Sequence, residues 1–206
     1  MDWLKIALIL LASYFLGTLT SGDIVAKLKK VDLRGQGSGN IGATNVFRVM
    51  GSFYGALVLI SDCLKGVIAV LLGNLLGNWH GFDPSILTGV LAIIGHNWPI
   101  HARFKGGKGI ATSLGVMIAL TPYSLLVALP VWIAFFVISG YVSLASVMAA
   151  LSYPISVFFL YTNDPYKLAF ATIIGVLAIY RHHGNIRRLF RGEENRILYK
   201  KHGGDK

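Results

Sequence analysis

Seven apolar stretches govern what this chain can fold into: residues 4–21, 51–76, 84–98, 110–122, 123–139, 144–161 and 166–180. A helix crossing the ~30 Å hydrocarbon layer of a bilayer needs about 20 apolar residues. At that length the seven stretches take up roughly 140 positions of a 206-residue chain. Most of the chain is therefore expected to sit in lipid. The first stretch is too long, and has the wrong flanks, for a cleaved signal peptide. Charged residues are 14% of the total, apolar side chains 54%, and 24 glycines come in addition. A water-soluble globule of this size has too little polar surface to cover such a composition, and a disordered chain would be far more polar. The one cysteine, Cys63, excludes a disulfide framework and a Cys-rich zinc site. The expectation is an all-α membrane protein with seven transmembrane helices in a single polytopic domain over residues 1–206.

The basic residues set the expected orientation. The net charge is +10, and 16 of the 19 Lys and Arg fall into three segments. Lys27, Lys29, Lys30, Arg34 and Arg48 lie between the first and second stretches. Arg103, Lys105 and Lys108 lie between the third and fourth. The remaining eight, from Arg181 to Lys206, follow the last. With seven spans, all three segments emerge on one side. Basic loops stay in the cytoplasm, so the N-terminus is expected outside and the C-terminus inside. The same rule accounts for the charge without a nucleic-acid partner.

Each segment also carries more than charge. The first reads Gly35-Gln-Gly-Ser-Gly-Asn-Ile-Gly-Ala-Thr-Asn-Val-Phe-Arg48. Its glycines allow backbone amides close to an anion. Ser38, Asn40, Thr44 and Asn45 offer neutral hydrogen bonds, and Arg48 offers a bidentate cation. The second contains Phe104-Lys-Gly-Gly-Lys-Gly109 directly before an apolar helix. Such a turn presents amides and the positive helix end to phosphate, although the Walker A spacing is absent. The third begins His182-His-Gly-Asn185, placing His182 and Asn185 on one helical face. Arg187, Arg188 and Arg191 suit lipid headgroups. Asp62 and Lys65 are the only charges well inside a span. They can pair at i, i+3, and either a structural or a substrate role fits. Gly73-Asn-Leu-Leu-Gly77 reads as a helix-packing motif. Acidic residues are too few for the clustered carboxylates that hold magnesium in phosphoryl transfer. No H-E-x-x-H zinc motif is present.

Three blocks carry a family resemblance. They are Ser38-Gly-Asn-Ile-Gly-Ala-Thr-Asn-Val-Phe-Arg48; Gly95-His96 with Pro99 and Phe104-Lys-Gly-Gly-Lys-Gly-Ile-Ala-Thr112; and His182 with Asn185-Ile-Arg-Arg-Leu and Gly192-x-Glu194. In this order they resemble the motifs of the bacterial acyl-phosphate:glycerol-3-phosphate acyltransferase (PlsY) family, and the match spans nearly the whole chain. The chain departs from that pattern at His183-Gly184. The resemblance implies a multi-pass enzyme of the bacterial inner membrane with its site facing the cytoplasm. It would transfer a fatty acyl group from acyl phosphate to the 1-hydroxyl of glycerol 3-phosphate. The products would be lysophosphatidic acid and inorganic phosphate, in the first step of phospholipid synthesis. No metal and no cofactor is implied, neither acyl-CoA nor acyl-ACP serves as donor, and a monomer suffices.

Site expectations follow from the segments and the resemblance together. Lys105, Lys108 and the turn of Gly106, Gly107 and Gly109 would hold the donor phosphate, with Thr112 and Ser113 adding hydroxyls. Ser38, Asn40, Asn45 and Arg48 would hold the acceptor or its phosphate, and Gly39 and Thr44 are further substrate- or phosphate-binding candidates. His182 and Asn185 would close the site, and the acyl chain would lie between spans, facing lipid. Ser38, Arg48, His96, Lys108, His182 and Asn185 are the catalytic candidates. The general base stays open among His96, His182 and the acceptor's own phosphate, and an acyl-enzyme on Ser38 is a further alternative. A transporter or channel for an organophosphate anion is the competing class. It calls for cations reaching both faces and for inverted repeats, and no repeat is evident.

Overall fold

The computed structural model describes residues 2–197. Every regular element among them is helical. Seven apolar helices correspond one to one with the seven stretches: α1 (Trp3–Thr18), α4 (Ser52–Asn74), α5 (Ser85–Asn97), α6 (Ile110–Leu120), α7 (Leu125–Ser139), α8 (Val142–Leu160) and α9 (Pro165–Arg181). Three further helices, α2 (Ser21–Leu28), α3 (Ala43–Met50) and α10 (His183–Phe190), occupy the polar segments. These are short and amphipathic; only the third was anticipated in part, by the shared helical face of His182 and Asn185.

By length and hydropathy, Ser52–Asn74, Pro122–Ser139 and Val142–Leu160 can each cross a bilayer. A fourth span arises if α1 and α2, bent by 46° at their junction, are taken together. Helix α6 has only 11 residues. At about 1.5 Å per residue it reaches about 16 Å, roughly half the hydrocarbon thickness. Lys200, Lys201 and Lys206 lie outside the described residues.

The exterior of the bundle is apolar, and its interior holds polar groups beside apolar ones. Leu11, Phe15, Ile60, Leu64, Leu126, Ile138, Phe159, Ile173 and Val176 are exposed, whereas Ser13, Asp62, Lys65, Thr88, His96, Asn97, Thr112 and Thr121 are buried. Lipid accepts the apolar exterior, and the interior polar groups must find partners in the protein.

Small residues let the helices approach closely. A side chain on Gly115 of α6 would collide with the Cys63 carbonyl of α4, and one on Gly17 of α1 would collide with the Ala92 backbone of α5. Gly73 likewise lies against Ser85 and Thr88 of α5. Gly77 does not join that contact: it lies beyond the end of α4, at φ 69°, with open space around it. The expected small-residue motif is thus a packing glycine followed by a turn glycine. A main apolar core forms where α4, α5, α6, α8 and α9 meet, around Ile93, Val116, Tyr153, Val157 and Ile174.

Candidate active site

The three polar segments meet at one end of the bundle. An Arg34 Nη2 donates 3.0 Å to the Lys105 carbonyl, joining the first segment to the second. Lys108 Nζ donates to Asn185 Oδ1, joining the second to the third. Arg48 Nη2 donates 2.9 Å to the Asn195 carbonyl, joining the first to the third. A cavity of about 340 Å³ opens between them and runs among the apolar helices. Its polar end is lined by Ser38, Thr44, Arg48, His96, Lys108, Gly109, Ser113, His182, Asn185 and Glu194. Its apolar end is lined by Leu125, Leu129, Trp132, Ala149, Tyr153 and Ile174, among others.

The first segment is held by Asn45. This side chain is 1% exposed. Its Oδ1 accepts from the Ser38 amide at 2.7 Å, and its Nδ2 donates to the Leu33 and Gln36 carbonyls at 3.1 Å each. Asn45 therefore folds the loop that presents Ser38. It does not line the cavity, and neither do Gly39 and Asn40. Asn45→Ala takes the partner from the half-buried Ser38 amide and from the Leu33 and Gln36 carbonyls, at a cost of about 1–3 kcal/mol. The expected result is a lower thermal midpoint, by about 2–4 °C per kcal/mol, together with reduced activity.

The glycine turn is braced rather than open along its whole length. The Gly106 and Gly107 amides donate to the Asn97 and His96 carbonyls at the end of α5. Their own carbonyls accept from Arg181 at the end of α9, with Nη2 2.5 Å from the Gly107 oxygen. The Arg181 guanidinium also lies over the Trp98 ring. Arg103 and Phe104 enter the turn at φ 52° and 59°, left-handed values that cost non-glycine residues energy. Gly109, at φ 77°, caps α6, whose first-turn amides have no partner within the helix. Those amides, with Lys108 and Ser113, are the part of the turn that meets the cavity. Lys105 is exposed, and Thr112 is buried with its hydroxyl lacking a partner among the described residues. Thr112, Lys105, Gly106 and Gly107 lie outside the cavity lining.

The electrostatics favour an anion. Arg48, Lys108 and Arg188 gather around one carboxylate, Glu194, and Arg181 lies near Lys108. Arg48 is pushed below its ordinary range, mainly by burial. Its Nε is buried without a partner among the described residues. Lys108 is pushed down to about 8 by burial, against the pull of Glu194 and with the push of Arg188, Arg48 and Arg181. His182 is pushed down to about 4, chiefly by burial and then by Lys108. Its Nδ1 lies 2.8 Å from the Ala178 carbonyl. A carbonyl can only accept, so Nδ1 carries the proton and Nε2 keeps its lone pair.

Two groups went unassigned in the sequence reading. Arg181 counted only as a basic residue after the last span, yet it braces the glycine turn. Glu194 had no assigned role, yet it accepts from Ser143 at 2.9 Å, Asn185 at 2.7 Å and Arg188 Nε at 2.7 Å. Arg188 is thus paired within the protein rather than free for lipid. His183, given no role, is exposed.

The family profile described as glycerol-3-phosphate acyltransferase matches residues 7–192. The glycerol-3-phosphate acyltransferase of Desulforudis audaxviator is 44% identical over 98% of this chain and 100% of its own length. That of Aquifex aeolicus is 43% identical over 94% and 100%. A crystal structure of PlsY (YgiH), an integral membrane glycerol 3-phosphate acyltransferase in its glycerol 3-phosphate form, superposes with a TM-score of 0.86 at 43% identity, covering 93% of this chain and 94% of that one. The same protein's lysophosphatidic acid form superposes with a TM-score of 0.83 at 42% identity, over the same shares.

Proposed function

Since the chain belongs to the glycerol-3-phosphate acyltransferase family, we propose that it acylates glycerol 3-phosphate with acyl phosphate as donor, releasing lysophosphatidic acid and inorganic phosphate. The observation carrying this reading is the cavity itself: a cluster of cations with one carboxylate at its mouth, and an apolar cleft behind it. That combination suits an amphiphile with a phosphate head and a hydrocarbon tail.

In the reaction the acceptor hydroxyl attacks the acyl carbonyl carbon and forms the ester C–O bond. The C–O bond to phosphate breaks, and its electron pair leaves with the phosphate. The hydroxyl proton ends, in the net balance, on the phosphate released. An acyl phosphate has a good leaving group, so the protein's task is positioning and charge stabilisation, each able to contribute several kcal/mol. Lys108 and the free amides at the start of α6 hold the donor phosphate. Arg48, with its spare Nε, holds the acceptor phosphate, and Ser38 and Thr44 border it. His182 accepts the hydroxyl's hydrogen bond through Nε2, and the acyl chain occupies the cleft beside Trp132 and Tyr153.

The seven apolar helices are read as seven crossings of a bacterial inner membrane, with the N-terminus outside and the site on the cytoplasmic face. The short α6 is covered by its neighbours, and a monomer contains every group used. The test is donor choice: purified protein given glycerol 3-phosphate should form lysophosphatidic acid from acyl phosphate and none from acyl-CoA. Product formation from acyl-CoA at a similar rate would overturn the assignment of the donor.

Lys108 also sets a pH dependence. The group is cationic below about 8 and neutral above. Because kcat/KM reports the free enzyme, it should hold a plateau below pH 8 and then fall about tenfold per unit. A profile that stays flat to pH 10 would contradict a phosphate-binding role for the Lys108 cation.

A further inference from the structure

Asp62, Lys65 and His96 form a charged cluster inside the bundle. Asp62 and Lys65 of α4 are 2% and 4% exposed and pair at 2.9 Å. Lys65 Nζ also donates to the Gly17 and Leu19 carbonyls, at 2.9 and 2.8 Å, where α1 ends. Ser21 Oγ donates 3.0 Å to Asp62 Oδ1. The remaining contact is with the His96 ring: Lys65 Nζ lies 2.8 Å from Nδ1.

These contacts fix the ring's proton. Three of the groups around Lys65 are oxygens that can only accept: two carbonyls and a carboxylate. They require the ammonium form, which has three donors and no acceptor. At 2.8 Å an ammonium tolerates only a lone pair opposite it, so Nδ1 of His96 is unprotonated. Asp62 Oδ1 is 3.7 Å from Nδ1, too far for a hydrogen bond that would place a proton there. The proton of the neutral ring is therefore on Nε2. That nitrogen faces the Cα of Gly107 so closely that a side chain there would strike it, and His96 borders the cavity.

We infer that Lys65, backed by Asp62, is a positioning residue that locks His96 as an Nε2–H donor, aimed at an anionic substrate oxygen held beside the glycine turn. His96 then stabilises charge, while His182, with the opposite tautomer, offers a lone pair. The two buried histidines thus have complementary roles set by what binds each Nδ1: an ammonium on one, a carbonyl on the other. The inference rests on the acyl-transfer reading only for which oxygen receives the bond.

The test combines spectroscopy with rescue. In protein labelled with [15N]histidine and embedded in bilayers, the His96 signals, assigned by their loss in His96→Gln, should show a neutral Nε2–H ring at pH 7. Lys65→Met should mix the tautomers and lower kcat about 10–100-fold. Glutamine places an N–H near the Nε2 position, so His96→Gln should keep activity within about tenfold of wild type, whereas His96→Ala should lose about 10²–10³-fold. An Nδ1–H or doubly protonated wild-type ring would overturn the inference, as would a Gln variant no better than Ala. If Lys65→Met fails to fold, the wild-type spectrum and the Gln–Ala comparison still decide. An inactive wild-type protein with the Nε2–H ring would defeat the acyl-transfer reading alone. An active one with the wrong tautomer would defeat this inference alone.

Discussion

Lys108→Met is expected to lower kcat/KM by about 10³-fold while leaving the protein folded. Methionine keeps most of the side chain's length and apolar stem but removes the cation. Lys108 is the cation that joins the glycine turn to Asn185 across the cavity. Removing one donor aimed at developing charge typically costs about 10²–10³-fold. The loss of a full charge in a partly desolvated site adds to this, because screening there is weak. Lys108→Arg retains charge at high pH but cannot place a single donor where Nζ stands. It should recover only part of the rate, with the alkaline limb moved upward. Steady-state kinetics for both substrates check this. Wild-type kcat/KM in the methionine variant would remove Lys108 from the mechanism.

Glu194→Ala comes second, with an expected loss of about 10²-fold in kcat and a lower thermal midpoint. The carboxylate accepts from Ser143 of α8, Asn185 and Arg188 of α10. It also counterbalances Lys108 and Arg48. Without it the cations repel one another, Asn185 loses the bond that orients it, and Lys108 loses its aim. A displacement of about 1 Å at a reacting group is enough for a 10²-fold effect. Glu194→Gln preserves an oxygen for Ser143 and Asn185 and should be milder in both rate and stability. Equal damage from Gln and Ala would show that charge, not geometry, is what Glu194 supplies.

Much of the fold was legible because lipid leaves few choices. A run of apolar residues in a bilayer must close its backbone hydrogen bonds internally, which makes it helical. Hydropathy therefore located all seven apolar helices, even the 11-residue α6. Hydropathy could not reveal α2, α3 and α10, and only the His182–Asn185 spacing hinted at the last. Each has eight residues mixing polar and apolar positions, and their helicity comes from packing at the bundle's edge. Packing on α4, for example, organises α3, whose Phe47 meets Gly55.

The site was legible where residue type and spacing carry chemistry. Arg48, Lys108, His182 and Asn185 stood out as polar groups in glycine-rich segments beside apolar helices, and all four line the cavity. The bracing groups were not legible. Arg181 looks like any basic residue at a helix end, and its bonds to Gly106 and Gly107 span more than seventy positions of sequence. Asn45 looked like a ligand because an amide in a polar loop can equally bind a substrate or the loop's own backbone. Only burial distinguishes the two. Asp62 and Lys65 were visible as a pair, but their link to His96 depends on α5 lying against α4.

The central claim is that the cationic end of the cavity brings two phosphate-bearing substrates together for direct acyl transfer. The most direct measurement uses protein in sealed liposomes, with labelled glycerol 3-phosphate outside and acyl phosphate in the membrane. Labelled lysophosphatidic acid should appear in the bilayer with an equimolar release of inorganic phosphate, and no label should collect in the lumen. Label accumulating inside as unchanged glycerol 3-phosphate, without phosphate release, would contradict the claim and identify a transporter.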